Sequence, residues 1–305
     1  MSSSNAYGGY YLPREIQNQL AQFQYQNEFR AGAVETFKDL KEQLLSGPVT
    51  LRVMSARRFK AEMSMAHFHE ALCRRHYFGI RRIHRLCRGA EMLAGHKWAT
   101  AWTLTTCYYA AFFAALELLH VTGKHVSYFS PDEIDELNIR ALPSTNSVEA
   151  GTYLGVAVYN STSGDVEISY AQTGQKPHDI ALHQLKELVQ QTVAENPDAI
   201  QHRKTLLQIL GNGVQKWSRP NEIRNRWNYV DPVLFCERGE SLGAGMNERI
   251  LHPKHANQWA RKKDLPVSQQ NEAIGIAYLR ATLVEAADCV AEAILPDRLA
   301  QRRTN

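Results

Sequence analysis

Hydrophobic residues recur at helical spacing along much of the chain. Between Leu12 and Leu45 they lie three to six positions apart, which predicts one or two amphipathic helices that end at Gly47-Pro48. The same kind of pattern predicts helices over residues 55–94, with a bend at Gly79, and over 97–121. Cap, proline and periodicity signals predict further helices at 131–139, at 178–195, at 198–211 before Gly211-Asn212-Gly213, and from Ser268 to Leu295.

One stretch has the period of a β-strand instead. The segments TYLGVAVYN and VEISYAQT alternate apolar and polar residues on either side of Ser161 to Gly164, which predicts a hairpin. Residues 231–267 contain glycines, prolines and mixed charge without a sustained period, which predicts a long loop. The sequence therefore predicts an all-α fold. It comprises an N-terminal helical arm (1–50) and a helical bundle (51–300) with two insertions, a small β-hairpin at about 140–177 and the loop at 231–267.

Composition limits the class of protein. With 305 residues, of which 44% are hydrophobic, the chain can bury a sizeable core, and a net charge of +4 does not by itself indicate a nucleic-acid binder. The five cysteines are widely spaced and form no CxxC pair, which favours reduced thiols in the cytoplasm. The first residues lack the pattern of a secretory signal. We predict no metal site and no cofactor, because no metal-binding or nucleotide-binding motif is present.

An uncharged run, WATAWTLTTCYYAAFFAAL, extends from Trp98 to Leu116. It is long enough to raise the alternative of a membrane span. The threonines and tyrosines dilute its hydrophobicity, so we favour a helix buried in a protein core and predict no membrane association. On this helix we expect Tyr108 and Tyr109 to pack in the core, with a dimer interface as the alternative, and Trp98 and Trp102 to act as packing anchors.

Positive charge is concentrated in one segment. Between Arg57 and Lys97 there are ten Lys and Arg residues against three Glu. At helical spacing four of these arginines share a face with Phe78, and arginine binds phosphate oxygens bidentately. The pattern predicts a face that contacts nucleic acid, with RNA as the expected ligand. The alternatives are an acidic protein partner and an ordinary solvated surface. The candidate RNA-binding residues are Arg74, Arg75, Arg81, Arg82, Arg85 and Arg88.

A second segment reads NEIRNRWNYVDP, from Asn221 to Pro232. Together with the helix containing CYYAAFFAALELL and the Ala-rich helix after Ser268, it resembles the HEPN (higher eukaryotes and prokaryotes nucleotide-binding) family of small helical domains. The resemblance covers roughly residues 60–295. It implies a homodimer in which the two motifs meet, and a metal-independent ribonuclease whose motif places a His four to six residues after an Arg.

Here Arg224 and Asn225 match the opening of that motif, but Tyr229 stands where the resemblance implies a His. The resemblance thus gives four candidate catalytic residues: Arg224 to stabilise charge on the phosphate, Asn225 to position it, and Asn228 and Tyr229 from the Arg-x-x-Ala-Asp-Tyr variant of the motif. A histidine from the 231–267 loop, His252 or His255, is an alternative proton-transfer group. The structural alternatives are a buried salt bridge or a carboxy-terminal helix contact for Arg224, and a core aromatic role for Tyr229.

Two functions follow from the resemblance. In the first, the chain is an RNA-directed protein of a bacterial toxin–antitoxin or antiphage defence system that cuts RNA without a metal. In the second, it is a non-catalytic subunit that binds RNA or an operon-encoded partner, such as a nucleotidyltransferase that modifies the motif tyrosine. The missing His favours the second function, and the arginine-rich face favours the first.

Overall fold

The computed structural model describes residues 11–25, 33–194, 196–212, 217–262 and 265–295. Three parts of the predicted organisation lie outside the described residues. They are Gly213, residues 1–10 and 26–32 of the arm, and the end of the predicted 51–300 domain. The chain divides into two compact units. The helical unit contains the described residues of 1–15, 80–115 and 182–289, and the sheet unit contains those of 16–79, 116–181 and 290–305.

Helices and strands alternate in the first half of the chain, and helices follow in the second. The elements of the first half are α1 (Tyr11–Ala21), α2 (Leu40–Ser46), β1 (Thr50–Ser55), β2 (Arg58–Ser64), α3 (Met65–Ala94), α4 (Thr100–Val121), β3 (Lys124–Phe129), α5 (Pro131–Arg140), β4 (Gly151–Asn160) and β5 (Asp165–Thr173). Those of the second half are α6 (Pro177–Gln191), α7 (Pro197–Leu207), α8 (Pro220–Asn225), α9 (Pro232–Cys236), α10 (Arg238–Leu251), α11 (Pro253–Ala260) and α12 (Gln269–Ile294).

The sheet shows that the predicted all-α bundle is wrong. Five strands pair antiparallel in the order β1-β2-β5-β4-β3. The predicted hairpin is present as β4 and β5, but it forms the middle of this sheet and is not a small insertion. Two of the other strands occupy residues 50–64, most of which the sequence assigns to a helix. The protein is therefore a mixed α/β fold.

The sheet unit buries a cluster of aromatic side chains. Tyr170 stacks on Phe59 with ring centroids 4.5 Å apart, and Phe129 and Tyr153 pack edge-on against Phe59. Tyr170 lies directly across the β4–β5 ladder from Gly155. A Cβ atom at that glycine would lie 2.5 Å from Cε1 of the tyrosine, so the ring packs where only a glycine leaves space.

Several predicted helices are confirmed. The helix at 131–139 is α5, and it begins with the expected capping box in which Ser130 and Glu133 exchange hydrogen bonds. The Ala-rich last helix is α12. The helix α3 begins ten residues later than predicted and passes through Gly79 as one continuous element. Residues 231–267, predicted as a loop, contain α9, α10 and α11.

The helical unit has a core of large aromatic residues. The rings of Trp217 and Trp259 lie 6.2 Å apart, Tyr278 follows 6.1 Å from Trp259, and its hydroxyl is 2.6 Å from Nδ1 of His202. Trp227 is fully buried. One helix of the described chain, Lys97–Val121, is long and apolar enough to cross a membrane by length and composition, and 78% of its most apolar window is buried inside the protein.

Candidate functional site

The Arg224 segment is built from two short helical turns. The helix α8 begins with a proline, and the Glu222 carboxylate accepts the backbone N–H of Arg219 at 2.9 Å. The next five residues, Arg226–Val230, form a π-helical turn, a rare geometry that is frequent at functional sites. Asp231 ends this turn and caps α9 by accepting the backbone N–H groups of the two residues that follow Pro232.

Buried contacts hold the segment on one side. The Trp227 side chain is fully buried. Arg226 forms an ion pair of 2.8 Å with Glu272 on α12 and donates to Ser218 Oγ at 2.6 Å. Glu272 is 3% exposed and also accepts the Ser218 backbone N–H at 3.0 Å. Elsewhere in the segment, Asn225 and Tyr229 are exposed.

The guanidinium of Arg224 lies among three tyrosine rings. It is 5.2 Å from the centroid of Tyr108, 5.5 Å from that of Tyr109 and 6.0 Å from that of Tyr229. Its Nη1 donates one long hydrogen bond of 3.4 Å to the Tyr109 hydroxyl, and its Nε has no partner. Within the described chain no carboxylate pairs with it, so the alternative of a buried salt bridge finds no partner among these residues. Most of its five N–H donors remain available to an anion.

The other predicted catalytic residues have different positions. Asn228 donates from Nδ2 to the Thr105 hydroxyl and, at 3.0 Å, to the Arg224 carbonyl, so it joins the segment to α4. Asn225 is exposed. Tyr229 is 75% exposed, which excludes the alternative that it is a core aromatic. The structure therefore brings Arg224 and Tyr229 together and gives Asn228 a positioning role.

The two histidines considered as proton-transfer groups are engaged with each other and with an acid. His255 Nδ1 lies 2.9 Å from Glu248 Oε1, and the rings of His252 and His255 are 5.4 Å apart. Both belong to the α10–α11 region. Neither is among the described residues that contact Arg224.

One face of α4 runs beside the Arg224 segment. Trp102, Thr105, Tyr109 and Phe113 follow one another at spacings of three or four residues, and we call them the α4 stripe. Trp102 packs against Phe235 with centroids 6.1 Å apart, Thr105 accepts from Asn228, and Tyr109 accepts from Arg224. The segment thus lies along the stripe in antiparallel sense, and sequence reasoning missed all of the stripe's contacts.

The tryptophans near the start of α4 are not packing anchors. Trp98 is 68% exposed and Trp102 is 52% exposed. Tyr108 is buried as predicted, whereas Tyr109 is only partly buried. The helix is apolar on every side, so its hydropathy does not reveal which face is outward.

A second arginine extends the stripe. The guanidinium of Arg82 lies 4.7 Å from the Phe113 centroid, and Phe113 stacks on Tyr109 at 6.3 Å. Arg224, Tyr109, Phe113 and Arg82 therefore form a continuous row in which two cations flank two aromatic rings. All four belong to the helical unit.

The six predicted RNA-binding arginines do not form one free basic face. Arg74 pairs with Glu42 at 3.4 Å and donates to a backbone carbonyl, and Arg75 pairs with Glu117 at 3.3 Å. Arg81 is partly buried. The arginines that remain exposed on the part of α3 in the helical unit are Arg82, Arg85 and Arg88.

Two buried cysteines of the helical unit, Cys87 and Cys107, are not suited to nucleophilic chemistry. Burial raises the pKa of the Cys107 thiol, which lies on α4, to about 12. Burial also raises the pKa of Cys87. Both thiols are therefore protonated at neutral pH and are poor nucleophiles. All five cysteines are free.

No family model, no curated protein and no solved structure matches this chain, so the resemblance to the HEPN family stays a prediction.

Proposed function

We propose that the helical unit binds single-stranded RNA along the α4 stripe, with Arg224 holding a phosphate group. The observation that carries this proposal is a half-buried guanidinium that contacts three tyrosine rings but has no carboxylate partner in the described chain. Aromatic faces hold the cation in place while its in-plane donors stay free for two phosphate oxygens.

Exposed rings supply the second component of such a surface. Tyr229 in the segment and Trp102 on α4 are largely exposed to solvent, and single-stranded nucleic acids are bound by stacking bases on such rings. Arg82 adds a second cation at the far end of the row. Bases in a duplex are stacked on each other, which favours a single strand as the ligand. RNA is favoured over DNA by the resemblance to the HEPN family.

Binding without cleavage fits the geometry better than catalysis. Cleavage through the ribose 2′-hydroxyl requires a group that takes up and returns a proton. The described side chains that contact Arg224 include tyrosine hydroxyls and no histidine. Metal-independent cleavage, homodimerisation, a nucleotidyltransferase partner and a role in a defence system stay predictions from the resemblance.

Fluorescence anisotropy with a labelled 12-nucleotide RNA tests the proposal. We expect Arg224→Ala to weaken binding about 10- to 100-fold and to reduce the slope of log affinity against log salt by about 0.7. Arg224→Lys keeps the charge but loses the bidentate geometry, so its affinity should be intermediate. The matched control is Lys204→Ala, which removes an exposed cation from α7 and leaves the stripe intact.

Equal affinity and equal salt slope for the wild type and a folded Arg224→Ala variant would refute the assignment of Arg224. Equal affinity for single-stranded and duplex RNA would refute the role of stacking. Gels run on the same mixtures in EDTA show whether the RNA is cut. Products with 2′,3′-cyclic phosphate ends that disappear with Arg224→Ala would identify an endoribonuclease.

A further inference from the structure

The sheet unit contains a cavity of about 180 Å³ that is separate in sequence from the Arg224 segment. All of its lining residues belong to the sheet unit, from α2, α3, the end of α4, and β3. One part of the wall is apolar and the other carries nitrogen groups. The apolar part includes Leu40, Phe68 and Leu72, and the polar part includes Arg75, His120 and His125.

A buried carboxylate organises the polar part. Glu117 is 2% exposed, and its oxygens lie 3.3 Å from Arg75 Nε, 3.5 Å from His76 Nδ1 and 3.9 Å from His120 Nδ1. The His120 and His125 rings stack with centroids 5.3 Å apart and planes 14° from parallel. Two imidazoles and a guanidinium are thereby fixed in one wall.

Several polar groups of this wall have no protein partner. His125 is 2% exposed, and its Nε2 has no hydrogen-bond partner. The only ion pair of Arg75 within the described chain uses its Nε, which leaves both Nη groups available on a side chain that is 35% exposed. Buried polar atoms in native proteins are nearly always satisfied, and in this wall the Nη groups of Arg75 are the unpaired donors that are open to a ligand.

The charge states limit the kind of ligand. Burial opposes ionisation of Glu117, but Arg75 and the bonds from His120 and His76 hold the pKa of this carboxyl well below its usual value. Burial, together with Arg75, lowers the pKa of His120, and burial lowers the pKa of His125 further. At neutral pH the wall therefore holds one cation, one anion and neutral imidazoles.

Two classes of ligand fit poorly. No group of three His, Cys, Asp or Glu side chains in the described chain could hold a metal ion. A phosphate dianion would face the carboxylate of Asp39, which lines the cavity, and the Arg75 guanidinium is already paired with Glu117. Lys41 cannot offset this charge, because it pairs with Glu133 at 2.6 Å. The apolar wall offers no donors to a multiply charged group.

We propose that this cavity binds a small organic monocarboxylate. The two Nη groups of Arg75 hold the carboxylate bidentately, beside the imidazole rings of His120 and His125. The hydrocarbon part of the ligand packs on Leu40, Phe68 and Leu72. Guanidinium and carboxylate match in geometry. The unpaired Nη groups of Arg75 suit a ligand that carries one negative charge. This site is independent of the RNA surface proposed above.

Titration of the full chain with butyrate and with 4-fluorobenzoate, followed by ¹⁹F NMR for the second probe and by thermal unfolding for both, tests the proposal. We expect saturable binding and a rise in melting temperature. Arg75→Met alone would leave Glu117 buried without its cation, so the informative variant is Arg75→Met combined with Glu117→Gln. It should lower the affinity at least about tenfold.

A second variant tests the cavity without changing the charges. Ala71 lines the cavity and is 1% exposed. Ala71→Met fills the space and should block binding, whereas Ala71→Ser leaves it open and should bind like the wild type. Absence of saturable binding of both probes by the folded wild type would overturn the proposal. So would tighter binding of inorganic phosphate, or binding that persists in the Ala71→Met variant.

Discussion

Gly79 lies in the middle of α3, where a glycine normally lowers helix stability. Replacing it with alanine in a helix interior normally stabilises a protein by about 1 kcal/mol. At this site an added Cβ would lie 2.3 Å from Cδ and 2.4 Å from Oε1 of Glu117. The carboxylate must then move by about 1 Å to reach ordinary contact distances, away from Arg75 and His76.

Breaking a buried ion pair costs about 3–5 kcal/mol, so we expect Gly79→Ala to destabilise the protein by about 2–4 kcal/mol despite its gain in helix propensity. The melting temperature should fall by roughly 3–6 °C, because the entropy of unfolding is large for a chain of 305 residues. Gly89→Ala is the matched control on the same helix, because its Cβ would meet only Thr106 Cγ2, at 3.8 Å. That substitution should be neutral or stabilising.

The pH dependence provides a second readout of the same prediction. The folded protein lowers the pKa of Glu117 below its usual value of 4.5. The stabilisation from this carboxylate is therefore complete above pH 4.5 and is lost as the pH falls toward the folded-state pKa. The difference between wild type and Gly79→Ala, measured by chemical denaturation, should shrink below that pH. A stabilising effect of Gly79→Ala at pH 7 would refute the reasoning.

Two further substitutions test the fold and the support of the candidate site. Gly155→Ala should lower the free energy of unfolding by about 1–3 kcal/mol, because the added Cβ would meet the buried Tyr170 ring at 2.5 Å; urea denaturation measures this, and an unchanged midpoint would contradict the described β4–β5 packing. Glu272→Gln removes the buried charge that holds Arg226 and should expose residues 217–226 to faster amide hydrogen exchange. If exchange in that segment stays at the wild-type rate, Glu272 does not anchor it.

The strands β1 and β2 show how local composition hides a sheet. Leu51 and Val53 on β1, and Phe59, Ala61 and Met63 on β2, are buried at alternate positions. The intervening residues include Arg, Lys and Glu, which are also good helix formers, and the short turn between the strands contains no glycine or asparagine. The β4–β5 hairpin was predictable because its alternation is longer and its turn ends in Gly164, which has a positive φ of 79°.

The helix α10 was hidden by its glycines. A Cβ at Gly239 would lie 2.0 Å from the Leu234 carbonyl oxygen, and one at Gly243 would lie 1.9 Å from Thr100 Cγ2. These glycines allow close approach of neighbouring elements within helices and do not mark turns. A single sequence cannot distinguish the two uses, because the distinction depends on a neighbour that is distant along the chain.

The candidate site could be predicted only in part for a related reason. The motif identified Arg224 and Tyr229. It does not show whether a carboxylate neutralises Arg224, because that depends on the side chains that surround it in the fold. Two of those side chains, Tyr108 and Tyr109, lie 115 residues or more earlier on a helix whose composition is apolar on every face. The α4 stripe has the same spacing as a row of residues that faces a core. The sequence alone therefore does not show that this face of α4 lies beside the Arg224 segment. Only the folded chain shows that the Arg224 guanidinium lies against that stripe among tyrosine rings. It also shows that no carboxylate of the described residues pairs with it. For that reason the folded Arg224→Ala variant, and not the presence of the motif, decides whether this surface binds RNA.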